Sequence, residues 1–255
     1  MNVWYMSGAG NDFLVVDARK NKFDMSKTAK ELCQKYGVDG FMALDESNVA
    51  DIKLHFYNSD GSRAEMCGNG ARCICRFAYD NGVAGEDMQV ETDAGIVFGK
   101  RISENVYRVK LNDPQDIKLC VKDCVDYTRV GVPHAFIETP NLDFNKTDEL
   151  FQVARSLRFN PIFENGANVS FYSKIDENTV KILTYERGVE DFTLACGTGS
   201  GALATVLWAK GELRKGDLTV KNKGGDLVVS LLEKDGKIDA LYLEGKAEVL
   251  KIFEI

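Results

Sequence analysis

The chain has 255 residues, 44% hydrophobic and 28% charged, a balance that supports a sizeable core in one large domain or in two of about 125 residues each. Its formal net charge of −7 argues against non-specific nucleic-acid binding, and only two histidines, His55 and His134, exclude a His-rich metal site or a Ser/His triad repeated in both halves. The opening MNVWYMSGAG lacks the basic start and apolar stretch of a signal peptide, and GALATVLWA is too short to span a bilayer, so a cytoplasmic compartment is expected. The seven cysteines then read as thiols rather than as a disulfide framework.

In chain order, GNDFLVVDA at 10–18 comes first, followed by KTAKELCQKY at 27–36, an amphipathic surface helix ending at Gly37. Residues 51–57 alternate, with Ile52, Leu54 and Phe56 on one face of a strand and His55 turned outward to solvent. MCGNGARC at 66–73 opens a run whose residues 70–80 are apolar on most faces and read as a buried helix; 87–99 then alternate as strands. The same order returns. GVPHAFIET at 131–139 resembles 10–18, VKILTYERGVEDFTLA leads into ACGTGSGA at 195–202, and 199–210 read as a second buried helix before DLTVKNKGGDLVVSLL at 217–232. Cys67 and Cys196 lie 196 − 67 = 129 residues apart, about half the chain. The pattern predicts a duplicated α+β module, each copy a mainly antiparallel curled sheet around a central helix, with the active site in the cleft between them. The first module covers residues 1–112 and the second 113–244, and the strand at 245–255 could return to either half.

A Cys-Gly-x-Gly entrance to a helix has a physical meaning. The first turn offers N–H groups without helical acceptors and the positive end of the dipole, and glycines let an anion approach the backbone. A cysteine there feels the same field, which lowers its pKa. Two such entrances suit inversion at the α-carbon of an amino acid, with one thiolate removing a proton and one thiol returning it to the other face. Simpler readings compete: a small core cysteine for each copy, a nucleotide turn disfavoured by the absence of a downstream strand–helix–strand context, and zinc at Cys73/Cys75 or Cys120/Cys124, for which core filling at 73 and 75 is preferred. No metal is expected.

SGAGNDFLVVDA, YNSDGSRAEMCGNGARC, GANVSF and YERGVEDFTLACGTGSGALA resemble the signature segments of the diaminopimelate epimerase family along essentially the whole chain. The resemblance implies conversion of LL-diaminopimelate to the meso form without pyridoxal phosphate or other cofactor, in the route to lysine and peptidoglycan. It implies Cys67 and Cys196 as the acid/base pair, and the N–H groups of Gly68, Asn69, Gly197 and Thr198 as the cradle of the reacting carboxylate. It further implies Asn11, Asn58 and Asn168 as contacts to substrate polar groups, with Glu186 and Arg187 at the non-reacting end. The expected partner is a small amino-acid substrate and, at most, a second copy in a homodimer, with neither nucleic acid nor membrane. His134 reads as a structural hydrogen-bonding residue. Val132 stands where the family's usual Asn amide helps hold the distal end of the substrate, which keeps open a related racemase of another amino acid. A non-catalytic anion-binding or thiol redox-sensing protein is the alternative from a different class.

Overall fold

The computed structural model describes residues 1–20, 22–64, 67–213 and 216–255, and these fall into two units, 1–110 with 244–255, and 111–243. Glu65 and Met66, at the head of the first cysteine motif, lie outside the described residues. The first unit begins with β1 (Asn2–Gly8), β2 (Asn11–Asp17), α1 (Met25–Tyr36), β3 (Gly40–Asp45) and β4 (Ile52–Asn58). It continues through α2 (Gly68–Asp80), β5 (Asp87–Thr92), β6 (Gly95–Arg101) and β7 (Val106–Lys110). The second unit holds β8 (Gln115–Lys122), β9 (Val125–Val130), β10 (Val132–Glu138), α3 (Asp148–Arg158), β11 (Asn168–Asp176) and β12 (Thr179–Glu186). After the two-residue β13 (Asp191–Phe192) come α4 (Gly197–Ala209), β14 (Asp217–Asn222), β15 (Gly225–Lys234) and β16 (Lys237–Lys246); β17 (Glu248–Glu254) ends the chain.

The strand order repeats. In the first unit β1 pairs antiparallel with β2, β2 parallel with β3, β3 antiparallel with β4, β4 parallel with β5, and β5 antiparallel with β6. In the second, β9, β10, β11, β12, β14 and β15 follow the same alternation. The terminal strand returns to the first unit, where β17 lies antiparallel on β1 from Asn2↔Glu254; β8 holds the matching place on β9. The Arg76 guanidinium donates to the Ala247 carbonyl at 2.5 Å, tying the entry of β17 to α2.

These pairings correct one expectation. Strands β4 and β5 flank α2 and run parallel, as β12 and β14 do around α4, so a strand–helix–strand context is present in both units. It was invisible in the sequence because the parallel contact is only two or three residue pairs long and a loop separates strand from helix.

Each central helix is buried by its composition. Gly68 through Cys75, with Phe77 and Ala78, are buried in α2, and Gly199 through Leu207 are buried in α4. Strands β1, β2, β3, β6 and β7 all pack on α2, so strands from both ends of the order meet one helix and the sheet curls around it. Strands β8, β9, β10 and β15 do the same for α4. By contrast α1 buries only Ala29, Leu32 and Cys33. It starts two residues before the predicted helix because the Asp24 carboxylate caps the Lys27 N–H at 3.0 Å, and it stops at Gly37, whose φ of 67° suits glycine.

Cys73 and Cys75 are fully buried, and burial pushes both thiols up to about 12. Among the described residues no group of three or more metal-ligating side chains occurs. His55 keeps the face opposite Ile52, Leu54 and Phe56 but is not solvated as expected: it is partly buried and its Nε2 meets Asp45 Oδ2 at 3.1 Å, because β4 is partly covered on its second face as well.

Cys75 supplies a test of this packing. A Cβ placed on Gly99 would stand 2.4 Å from Cys75 Sγ but 3.6 Å from its Cβ. Gly99→Ala is expected to cost about 1–3 kcal/mol in urea unfolding. Adding Cys75→Ala should recover part of that loss, a non-additivity that independent sites would not show.

Candidate active site

The thiol of the first unit stands at the N-cap of α2. Cys67 is extended, at φ −126° and ψ 127°, and its carbonyl accepts the Ala71 N–H at 2.8 Å, so the helix begins immediately behind the sulfur. The Gly68 and Asn69 N–H groups belong to the first turn, where no helical acceptor exists. This turn is seated by close approach: a Cβ on Gly8 would fall 2.8 Å from the Asn69 carbonyl oxygen and 3.2 Å from Cys73 Sγ. Asn69 Nδ2 donates to Asn11 Oδ1 at 2.6 Å, and Asn11 Nδ2 donates to Asp39 Oδ2 at 3.2 Å. Asp39 also accepts the Asp12 N–H at 2.9 Å, which anchors the start of β2. Asn11 and Asn69 are therefore brought together. Asn58 ends β4 in an exposed turn, its Nδ2 donating to Ser62 Oγ at 3.0 Å.

The second thiol is built differently. Cys196 caps α4 with the same extended backbone, φ −118° and ψ 110°, but is buried, and its sulfur accepts the Gly199 N–H at 3.4 Å. Thr198 Oγ1 lies 3.6 Å from Sγ and 3.1 Å from His134 Nε2, giving a sulfur–hydroxyl–imidazole chain. The Glu186 carboxylate, held by Thr193 Oγ1 at 2.8 Å, also acts on the sulfur. Burial first, then Glu186, drives the Cys196 thiol well above the usual cysteine range, while Thr198 and the Gly199 N–H pull the other way. The lowering expected from the helix start is present but smaller than the cost of desolvating a thiolate, so Cys196 stands as the thiol.

Around it, Asn168 Oδ1 accepts the Arg187 N–H at 2.8 Å, and the Arg187 guanidinium donates to the Asn165 carbonyl at 3.1 Å. Parallel pairing of β10 with β11 sets His134 beside Asn168. Cys196, Thr198, Glu186, Asn168 and Arg187 thus form one neighbourhood in which Val132, heading β10, presents no polar side-chain atom. Burial, with Arg187 adding, pushes His134 down to about 3, and its Nδ1 is buried without a hydrogen-bond partner. The sequence marked His134 as structural but showed no link to Thr198, which depends on register between β10 and the α4 start. Asp39 and Arg72 were missed altogether. The available signal for Arg72 was an arginine inside an otherwise apolar run.

The diaminopimelate epimerase family model matches residues 3–116 and 127–250. The chain is 36% identical to diaminopimelate epimerase of Aquifex aeolicus over 100% of this chain and 96% of the relative. It is 35% identical to that of Archaeoglobus fulgidus, over 95% and 91%. Among solved structures it is similar to a phenazine biosynthesis protein of the PhzF family from Bacillus anthracis, with TM-score 0.81 and 16% identity over 100% of this chain and 98% of that one. It is also similar to a hydroxyproline epimerase from Agrobacterium vitis with bound trans-4-hydroxy-L-proline, with TM-score 0.73 and 14% identity over 100% and 90%. Both structural likenesses concern the fold.

Two measurements check these electrostatics. A His134 depressed to about 3 leaves the unfolded chain binding a proton that the folded chain refuses, from the ordinary imidazole value of about 6.5 downward. Its stabilising contribution is complete above that value and is lost as pH falls toward 3, by at most about 1.4 kcal/mol per pH unit. His134→Gln should flatten the stability profile between about pH 6.5 and 5, above the main carboxylate range. For Cys196, peptide-resolved alkylation rates should show the pH midpoint rising in Thr198→Val and falling in Glu186→Gln; the opposite order would contradict the assigned partners.

Proposed function

Because the chain belongs to the diaminopimelate epimerase family, we propose that it interconverts LL- and meso-2,6-diaminopimelate by moving a proton at one α-carbon between two cysteines, without pyridoxal phosphate. The observation that carries this reading is the recurrence of one device. In each of two units with matching strand order, a cysteine with extended backbone occupies the N-cap position of a buried helix whose first three residues read Gly-x-Gly.

The step balances within substrate and protein. A thiolate takes the α-hydrogen as a proton, and the electron pair left on Cα spreads into the carboxylate. The other thiol delivers its proton to the opposite face. One sulfur ends protonated and the other ionised, so the reverse reaction uses the same pair with roles exchanged. The carbanion is the difficult species. N–H donors of Gly68, Asn69, Gly197 and Thr198 are assigned to the reacting carboxylate, where charge grows in the transition state. Asn11, Asn58 and Asn168 are assigned to substrate polar groups. Glu186 pairs with an ammonium and Arg187 with a carboxylate at the non-reacting end. Glu186 is also the residue that favours the neutral Cys196 thiol, so binding and acid strength meet in one side chain.

This reading assigns the enzyme to the cytoplasm, in the supply of lysine and peptidoglycan precursor, and any self-association to a homodimer. Among the described residues no helix is long and apolar enough to cross a membrane. The substrate side leaves one rival, a racemase of a different amino acid, motivated by the apolar Val132.

The test is solvent deuterium uptake at Cα in LL- and meso-diaminopimelate by reduced protein with no added cofactor. Uptake with inversion is expected, and Cys67→Ser and Cys196→Ser should each lower inversion by about 100- to 10,000-fold while leaving circular dichroism unchanged. Full turnover by either variant overturns the two-thiol mechanism. Preference for another amino acid selects the rival racemase, and absence of exchange with any amino acid selects a non-catalytic thiol or anion-binding role.

A further inference from the structure

The two units build one strand head alike and furnish it differently. A glycine in the left-handed region, Gly10 at φ 89° and Gly131 at φ 70°, directly precedes that head. In the first unit the head is Asn11, whose amide meets Asn69, the second residue of the helix turn. In the second unit it is Val132, half-buried and without a polar side-chain atom, and the second residue of the turn is Thr198.

An amide reaches this place from another segment. A Cβ on Gly131 would stand 3.0 Å from Asn112 Oδ1 and 3.7 Å from its Cγ, and 4.0 Å from Thr198 Cγ2. Gly131 thus touches the Asn112 side chain and adjoins the start of α4. The residue before Asn112 fixes where it stands. Leu111 is buried and donates its N–H to the Leu241 carbonyl at 2.9 Å. It also packs on α4, since a Cβ on Gly201 would fall 2.4 Å from Leu111 Cδ1. Asn112 itself is exposed, and among the described residues its amide makes no hydrogen bond. Two N–H donors and a carbonyl acceptor therefore stand unspent beside an apolar strand head.

We propose that Asn112 is a specificity-determining residue: from the segment that enters the second unit, it supplies the hydrogen-bonding amide that Val132 lacks and binds the non-reacting amino-acid end of the substrate. Asn168, paired across from His134 on the strand that Val132 heads, and Arg187, whose N–H Asn168 accepts, are assigned to the same neighbourhood. An amide serves either group of that end, donating to a carboxylate or accepting from an ammonium. The inference rests on the two-thiol reading above and narrows its substrate to a molecule with an amino-acid group at both ends, against the rival racemase of a plain apolar amino acid.

The experiment compares LL-diaminopimelate with L-2-aminoheptanoate, which has the same chain length and an apolar far end. Reduced full-length protein is assayed for deuterium uptake at Cα on both, and for binding of LL-diaminopimelate by calorimetry. Asn112→Ala should lower kcat/KM and affinity for diaminopimelate about 10- to 100-fold, leave exchange on L-2-aminoheptanoate unchanged and keep the native circular dichroism. Adding Val132→Asn to Asn112→Ala returns an amide to the strand head and should recover most of the loss, a non-additivity that a merely structural role would not give. No loss on diaminopimelate, an equal loss on both compounds, or a double variant no better than Asn112→Ala overturns the proposal. Binding separates the two claims. Diaminopimelate that binds the native protein without exchanging sinks the epimerase reading, and the affinity of Asn112→Ala still decides the contact. Exchange that Asn112→Ala leaves untouched sinks the contact alone, and failure of diaminopimelate to bind the native protein sinks both.

Discussion

A buried helix must begin somewhere, and its first N–H groups then lack both helical acceptors and bulk water. Everything assigned to the site follows from that constraint. In α2 and α4 the helix start carries glycines and is enclosed by strands, an environment where first-turn N–H groups interact strongly with an anion. Both N-cap cysteines have extended backbone, and at the second start this sets the Cys196 sulfur against the Gly199 N–H at 3.4 Å. Gly8 shows how tightly the first start is seated, since β1 approaches the Asn69 carbonyl more closely than a side chain permits.

The same topology supports unequal electrostatics. At the first start Asn69 is held from two sides: Arg72 donates to its Oδ1, which leaves its Nδ2 to donate to Asn11. The amide orientation is thereby set by its partners. At the second start the sulfur is buried, faces the Glu186 carboxylate and is contacted by the Thr198 hydroxyl. Reversible inversion needs two groups able to exchange roles, yet a resting enzyme needs one proton between them rather than two or none. A guanidinium is buried in the first turns of α2 and a carboxylate acts on the sulfur at α4, so matching backbones carry unlike charges.

Much of this was legible in the sequence because it depends on local pattern. The alternation of Ile52, Leu54 and Phe56, the apolar helices opened by each glycine turn and the cap at Gly37 are short-range signals, and the halves could be aligned from the segments that recur in one order around the two cysteines. What escaped depends on register between distant segments. The parallel pairing of β4 with β5 spans too few residues to leave a periodic trace. The side on which β17 would close the order was undetermined, since nothing within its own seven residues prefers β1. The sign of the Cys196 shift was misjudged because a helix start is visible in sequence whereas complete burial of a sulfur is not.

The departures from internal symmetry show where specificity can reside. In the first unit the second residue of the helix turn, Asn69, reaches the first residue of the adjoining strand, Asn11. In the second unit the corresponding strand opens with Val132, which has no polar atom to offer. Thr198, at the position equivalent to Asn69, instead bonds to His134, two residues further along β10. A neutral, fully enclosed imidazole thus takes over the task of orienting the turn from an amide, and the head of the strand is released from it. Because the orienting contact lies deeper in the unit, the residue at position 132 can change without disturbing the Cys196–Thr198 pair. In the proposed reading, substrate selection at that edge and proton transfer at the sulfur are physically separable, because the contacts that orient the turn do not pass through position 132.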